Sequence, residues 1–280
     1  MIFEAPGETF AERYPQRPFR LRHNLRGHKL FTLPALLDLA RRLPPGNIEY
    51  NAGDIPIDQD PDRTPMTGLS IEETIRRINE CNSWMVIRNV EQDPAYAQAL
   101  EDCLAEIAPA TARATGRMYK KIGFIFVSSP GAITPLHLDP EHNILMQIDG
   151  TKRINIYPND KGLVPPEHHE DYHAGTAHRN LRHKPEFDAL AEAYELAPGE
   201  AVYVPVKAPH WVKNGDAPSV SFSITWRSRA SDNEARLRLA NHAVRKFGGR
   251  PPEPGAAPFR DAAKLVLQRI ASKLKSRPRA

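Results

Sequence analysis

Two side chains that bind metals stand one residue apart at His137 and Asp139, in the run Thr134-Pro135-Leu136-His137-Leu138-Asp139. Alternate residues of a strand face the same side, so this pair would point together with a Cα separation of about 6–7 Å. An imidazole nitrogen and a carboxylate oxygen so placed can reach one ion. A labile divalent metal needs a third ligand from elsewhere. His210 offers one, at the end of Val204-Pro205-Val206-Lys207-Ala208-Pro209-His210, where a strand-like run turns into the next. Distant strands of a barrel can face each other across its interior. Two histidines and one carboxylate leave three positions open on a six-coordinate ion. That set suits non-haem iron(II), with room for a cosubstrate and dioxygen. The lack of a thiolate speaks against a closed structural zinc site. A His-x-Asp pair alone is a weak signal. Its weight here comes from the strand setting and from the third ligand.

The elements that must position these ligands begin at Tyr119 and end near Trp226. Strand-like runs recur at 121–128, 143–148, 152–157, 194–196, 201–206, 210–213 and 219–227, punctuated by Asp149-Gly150, Pro198-Gly199 and Asn214-Gly215-Asp216. Many short strands with tight turns predict an antiparallel sandwich or barrel. A polar, His-rich insertion at 158–193, too long for a hairpin loop, interrupts the pattern; long loops in compact domains are often functional. Before residue 119 the texture is mainly helical: Thr32 caps a helix to about Leu43, Ser70 and Glu73 have capping-box spacing, and Asp93-Pro94 opens a helix to about Ala108. Trp84–Val90 reads as a buried strand, and residues 1–30 as a surface wrap. Two amphipathic helices, 231–247 and 257–275, close the chain.

The run HLDPEHNILMQIDGTKRINIYP, preceded by Thr134-Pro135, and the later APGEAVYVPVKAPHWVKN resemble the JmjC hydroxylase family, nearest its asparaginyl hydroxylase branch, over roughly residues 84–227. The resemblance implies a mainly β fold, a double-stranded β-helix (jelly-roll or cupin) barrel with a helical N-terminal elaboration and a C-terminal helix pair. The implied division is 1–118 elaboration, 119–228 barrel and 229–280 C-terminal helices. By the same resemblance His137, Asp139 and His210 bind iron(II) and carry catalysis. Lys152 pairs with the distal carboxylate of 2-oxoglutarate and Thr134 gives it a hydroxyl, while Asn143 and Thr225 lie near the cosubstrate's metal-binding end. Tyr119 is the aromatic candidate for the distal carboxylate. The implied activity is a dioxygenase that uses O2 and 2-oxoglutarate to hydroxylate a substrate C–H, releasing succinate and CO2. A protein side chain is the first expectation for that substrate and a small molecule the alternative; the C-terminal helices imply a homodimer. The sequence does not choose between hydroxylation and demethylation as the outcome.

The bulk numbers agree with a folded domain: 280 residues, 40% hydrophobic and 26% charged. No uninterrupted apolar run is long enough to span a bilayer, and the first residues do not read as a signal peptide. The two cysteines, Cys81 and Cys103, cannot staple a domain of this size, so a reducing cytoplasm is the expected setting. Net charge is +4, and Lys264, Arg269, Lys273, Lys275, Arg277 and Arg279 gather at the end without an acid among them from 264 to 279. A solvated helix face is preferred there over a nucleic-acid surface, because neither aromatic interleaving nor a helix-turn-helix pattern accompanies it. His142 is expected on the surface of the loop after Asp139, and His168, His169, His173, His178 and His183 in a solvated loop covering the substrate rather than at a second metal. A non-catalytic cupin-like regulator is the competing reading; the intact ligand set and Lys152 speak against it.

Overall fold

The computed structural model describes residues 1–4, 8–159 and 162–275. Its strands are β1 (Phe19–Arg22), β2 (Ile48–Ala52), β3 (Ser83–Arg88), β4 (Tyr119–Ser128), β5 (Ile133–His137), β6 (His142–Asp149), β7 (Lys152–Ile156), β8 (Glu192–Leu196), β9 (Glu200–Val204), β10 (His210–Asn214) and β11 (Ser219–Arg227). The helices are α1 (Glu8–Arg13), α2 (Leu33–Arg42), α3 (Ile71–Arg76), α4 (Pro94–Thr115), α5 (Pro166–Ala174), α6 (Arg229–Lys246) and α7 (Pro258–Lys275). The strands form a seven-stranded sheet in the order β1-β9-β6-β11-β4-β3-β2 and a four-stranded sheet in the order β5-β10-β7-β8. All named pairings are antiparallel. The expected mainly β architecture with helices at both ends is what forms.

Side-chain alternation sets the layers. In β11, Val220, Phe222, Ile224 and Trp226 pack into one large core with Leu36, Leu39, Leu100, Leu104 and Ile107 from α2 and α4. The intervening Ser221, Ser223 and Thr225 take the other face of the sheet. In β6, Ile144, Met146 and Ile148 join the large core, while Leu145 packs with Ile154, Ile156, Leu196 and Val212 of the smaller sheet. A second, smaller core thus lies between the sheets. Because the central strands are covered on both faces, their outer and inner residues are equally buried. Small hydroxyl residues on the inner face of β11 leave open the space in which the candidate site lies.

The helix starts follow their caps. Thr32 accepts from the Ala35 amide (3.4 Å), Asp93 from the Ala95 amide (3.0 Å), and Ser70 with Glu73 completes a capping box. Two expectations differ from the structure. Helix α4 does not stop at Ala108 but passes Pro109 to Thr115. The proline removes one backbone donor, but Ile107, Thr111 and Thr115 are buried on either side of it, and their packing outweighs that loss. Residues 1–30 do not merely wrap the surface: Phe3, Phe10, Tyr14, Phe19, Leu21 and Leu25 are buried, and β1 pairs with β9. The strand expected at Trp84–Val90 forms as β3, and with β1 and β2 it joins the large sheet.

Candidate metal and cosubstrate site

The antiparallel pairing of β10 with β5 sets His210 directly opposite His137, and the two rings lie 4.2 Å apart between centroids. Asp139 follows two residues after His137, just past the end of β5. Its carbonyl accepts a 2.7 Å hydrogen bond from the Lys207 amide in the β9–β10 turn. Lys207 adopts a left-handed backbone there (φ 60°). Asp139 Oδ2 lies 3.6 Å from Nε2 of His137 and 3.8 Å from Nε2 of His210. Donor atoms at roughly 2.1 Å from one ion sit roughly 3 Å apart when adjacent, so a small contraction closes this cluster on a metal. It is the one group of three or more such side chains close enough to share an ion among the described residues.

The ring orientation of both histidines is fixed from behind. Nδ1 of His137 meets the Pro135 carbonyl at 2.7 Å, and Nδ1 of His210 the Ala208 carbonyl at 2.9 Å. A carbonyl can only accept, so each Nδ1 carries the hydrogen and each Nε2 presents a lone pair toward Asp139. Burial, reinforced by the neighbouring His137, pushes the His210 imidazolium down to about 3, which keeps this nitrogen free of a proton at neutral pH. Burial alone would raise the Asp139 carboxyl, but His137 and Arg179 outweigh it and hold the group well below the usual carboxylate range.

These residues open into a cavity of about 550 Å³, lined also by Trp84, Phe124, Phe126, Thr134, Asn143, Lys152, Val212, Ser223 and Thr225. Thr134 Oγ1 accepts a 2.8 Å hydrogen bond from Trp84 Nε1, so its own proton remains to be donated. Asn143 Oδ1 accepts from Ser223 Oγ at 2.7 Å, leaving its NH2 as the free donor. Thr225 donates to the Ile122 carbonyl at 3.1 Å. Seven of the eight residues tied to metal or cosubstrate from the sequence therefore line one cavity. Tyr119 does not: its hydroxyl donates to the Ser228 carbonyl (3.0 Å), and Trp84, Phe124 and Phe126 are the aromatic lining.

Charge balance in the cavity is uneven in one place. Glu49 pairs with Arg88 at 3.2 Å, Asp139 with Arg179 at 2.9 Å, and Glu141 with Arg227 at 2.7 Å. Lys152 is the charged lining residue with no such partner among the described residues. It is 4% exposed, and its Nζ stands 5.9 Å from the Phe126 ring centroid. Burial pushes its ammonium down to about 7. A buried cation without a counter-ion is unfavourable unless an anion joins it.

Two further residues depart from expectation. His142 is not a surface residue: it is buried, stacks on Trp226 at 5.2 Å, and its ring nitrogens meet Tyr203 Oη (2.8 Å) and Ser228 Oγ (3.0 Å). Arg179, not singled out in the sequence, reaches the site from the insertion, whose His178 and Asn180 line the cavity beside it. Part of that insertion is folded rather than solvated: α5 buries His169 and Glu170 and is tied to α6 by Arg245–Glu170 (2.7 Å) and His242–Asp171 (3.0 Å). Cys81 and Cys103 are both free. In the basic tail Lys264 donates to Asn241 Oδ1, whereas Arg277 and Arg279 and the side chains of Arg269, Lys273 and Lys275 lie outside the described residues.

A family model described as a Cupin-like domain matches residues 66–232. The chain belongs to the cupin-like family. Its relatives within that family include JmjC proteins, as the motifs in residues 84–227 had implied. This cupin-like chain is 37% identical to the Jumonji C domain-containing protein 5 of Drosophila melanogaster over 103 residues, which cover 34% of this chain and 25% of that protein. Identity to Lysine-specific demethylase 8 of Danio rerio is 32% over 102 residues, 34% and 24% of the two chains. HSPB1-associated protein 1 of Homo sapiens is 29% identical over 125 residues, 41% and 25% of the two chains. The matches thus span about a quarter of those relatives. Among solved structures, the X-ray structure of E. coli ycfD matches with a TM-score of 0.53 at 19% identity, covering 99% of this chain and 70% of that one. A second structure, titled as the Escherichia coli ribosomal oxygenase YcfD, gives 0.50 at 17%, covering 99% and 69%. These two show the shared fold.

Proposed function

We propose that this cupin-like protein is an iron(II)- and 2-oxoglutarate-dependent dioxygenase that hydroxylates a C–H bond. The observation that carries the reading is a single cavity holding both a two-histidine, one-carboxylate cluster and a buried lysine without a counter-ion. The donor set fits a labile divalent iron with open positions. Lys152 and Thr134 fit a distal carboxylate, since one supplies a positive charge and the other a hydroxyl proton. When bound, the iron supplies the activation of dioxygen that couples oxidative decarboxylation of 2-oxoglutarate to substrate oxidation. The chain's own part is orientation and exclusion of water. His137, Asp139 and His210 hold the ion. Asn143 of β6, Thr225 of β11 and the aromatic Trp84, Phe124 and Phe126 line the cavity and would border the cosubstrate there.

A protein side chain is the substrate we favour, because relatives are named for a demethylase of lysine and for a ribosomal oxygenase. The cavity also reaches past the ligands to Glu49, Asn51, Pro61 and Met66, more room than the cosubstrate alone requires. The reaction is expected to show as succinate formed from 2-oxoglutarate by iron(II)-loaded protein in air, accelerated by a polypeptide substrate. Acceleration by small molecules and not by polypeptides turns the reading to a metabolite hydroxylase. Binding of iron and 2-oxoglutarate without any succinate assigns a regulator, and failure to bind either removes the oxygenase reading.

We further propose a homodimer through α6 and α7 in a cytoplasmic setting. Leu239, Val244, Phe247, Phe259, Val266 and Leu267 are exposed on or beside those helices, and exposed large apolar side chains of this kind can be covered by a partner. Light scattering of the intact chain is expected to give twice the chain mass, and Phe259→Glu to return it to one; a monomer before substitution rejects the dimer. No described helix is long and apolar enough to cross a membrane, and two unpaired cysteines suit a reducing compartment.

A further inference from the structure

The insertion returns to the site along the open edge of β5. The Leu138 amide donates to the Arg179 carbonyl (3.1 Å) and the Leu181 amide to the Leu136 carbonyl (2.9 Å), while Asn180 forms an antiparallel bridge with His137. Strand β5 is the outer strand of its sheet, so this short pairing covers the edge that carries His137 and leads into Asp139. It also fixes where the Arg179 side chain begins. From there Nη1 of Arg179 reaches Oδ1 of Asp139 at 2.9 Å.

The two oxygens of Asp139 therefore have different partners. Oδ1 accepts from the guanidinium, whereas Oδ2 faces both histidine Nε2 atoms, at 3.6 and 3.8 Å. A carboxylate with both oxygens free can occupy two positions on an ion. One whose second oxygen is held by a charged donor presents a single oxygen. The backbone cannot relax this arrangement, because the Asp139 carbonyl is held by the Lys207 amide at 2.7 Å. Resting on the oxygenase reading above, we propose that Arg179 is a positioning residue that confines Asp139 to one-oxygen ligation and so keeps open the position a chelating cosubstrate needs. The His-rich insertion then has a defined role, since it carries the group that divides the carboxylate.

The Arg179 side chain is 44% exposed, and ion pairs so placed contribute little to folding stability. Its influence should therefore be read in ligand binding and not in the melting temperature. The test compares wild-type protein with Arg179→Gln and Arg179→Lys, each loaded with cobalt(II) as the probe metal. For Arg179→Gln the melting temperature and cobalt affinity are expected to stay within about twofold of wild type, or cobalt to bind more tightly. The visible absorption of bound cobalt should change, and 2-oxoglutarate affinity on the cobalt-loaded protein should fall about fivefold or more. Arg179→Lys, which keeps the charge and one donor, should restore part of the loss. A cobalt spectrum and a 2-oxoglutarate affinity both unchanged in Arg179→Gln overturn the proposal. So does a loss of cobalt in step with a lowered melting temperature, which would make the residue structural. Wild-type protein that takes up no cobalt, or no 2-oxoglutarate once loaded, would instead remove the oxygenase reading and this inference with it.

Discussion

Asp139→Ala is expected to lower metal affinity at least on the order of a hundredfold, since it removes a ligand outright, and the one ligand that carries negative charge. Succinate formation should fall with it. The reason lies in what each ligand contributes. His137 and His210 are neutral donors already turned inward by the Pro135 and Ala208 carbonyls, so the substitution leaves two imidazoles in place. What it removes is the anion of the cluster, the group that the Arg179 guanidinium helps to hold ionised against its burial. A divalent ion between two neutral imidazoles would then have no anionic ligand. The fold should hardly notice, because the lost ion pair to Arg179 is partly exposed and Asp139 is not part of either apolar core. Metal titration followed by a melting curve separates the two effects. Metal affinity within about threefold of wild type, with turnover retained, would remove Asp139 from the site.

The ligands could be read from the sequence because strand alternation is a local rule. His137 and Asp139 needed no tertiary information to be placed on one side, and His210 stood where a strand-like run breaks at Pro209. The capped starts of α2, α3 and α4 were legible for the same reason, since a cap involves residues two or three apart. What escaped was decided by contacts far apart in the chain. Arg179 looks like one more basic residue in a polar loop; only the path of the insertion back along β5 makes it a partner of Asp139. His142 sits in a polar, turn-like context, yet Trp226 and Tyr203 make a buried slot for it from β11 and β9. Phe10 and Tyr14 have the spacing of one helical turn, but Pro15 follows at once and Phe19 falls outside that period, so too little periodic pattern marks them as core, although they stack on one another and on Tyr203. The second face of the large sheet was hidden likewise. Val127, Ile144 and Met146 point to the helices while Phe126 and Leu145 point between the sheets, and hydrophobic residues on both sides erase the period of two.

Lys152→Met should move stability and binding in opposite directions. In the native protein burial pushes this ammonium down to about 7, against an ordinary value of about 10.4. Between those two values the unfolded chain carries a proton that the folded one lacks, so this residue makes the protein more stable as pH rises through that window. Below about pH 7 both states are protonated and the full desolvation cost remains. Methionine keeps the length of the side chain beside Phe126 and removes the charge, so the cosubstrate-free variant is expected to gain on the order of 1 kcal/mol at pH 6. For a chain of this size that raises the melting temperature by about 2 °C. The same change deprives a distal carboxylate of the unpaired cation in the cavity, and a charge-assisted hydrogen bond of about 1.5–3 kcal/mol corresponds to a loss of roughly 10–100-fold in 2-oxoglutarate affinity. A pH series adds an independent check. Because the lysine must be charged to hold the dianion, wild-type affinity should weaken by up to about tenfold per unit above pH 7, with proton uptake on binding, and Lys152→Met should lose that dependence. A variant that melts lower than wild type while binding 2-oxoglutarate equally well would mean that the lysine is satisfied in some other way and that the dianion binds elsewhere.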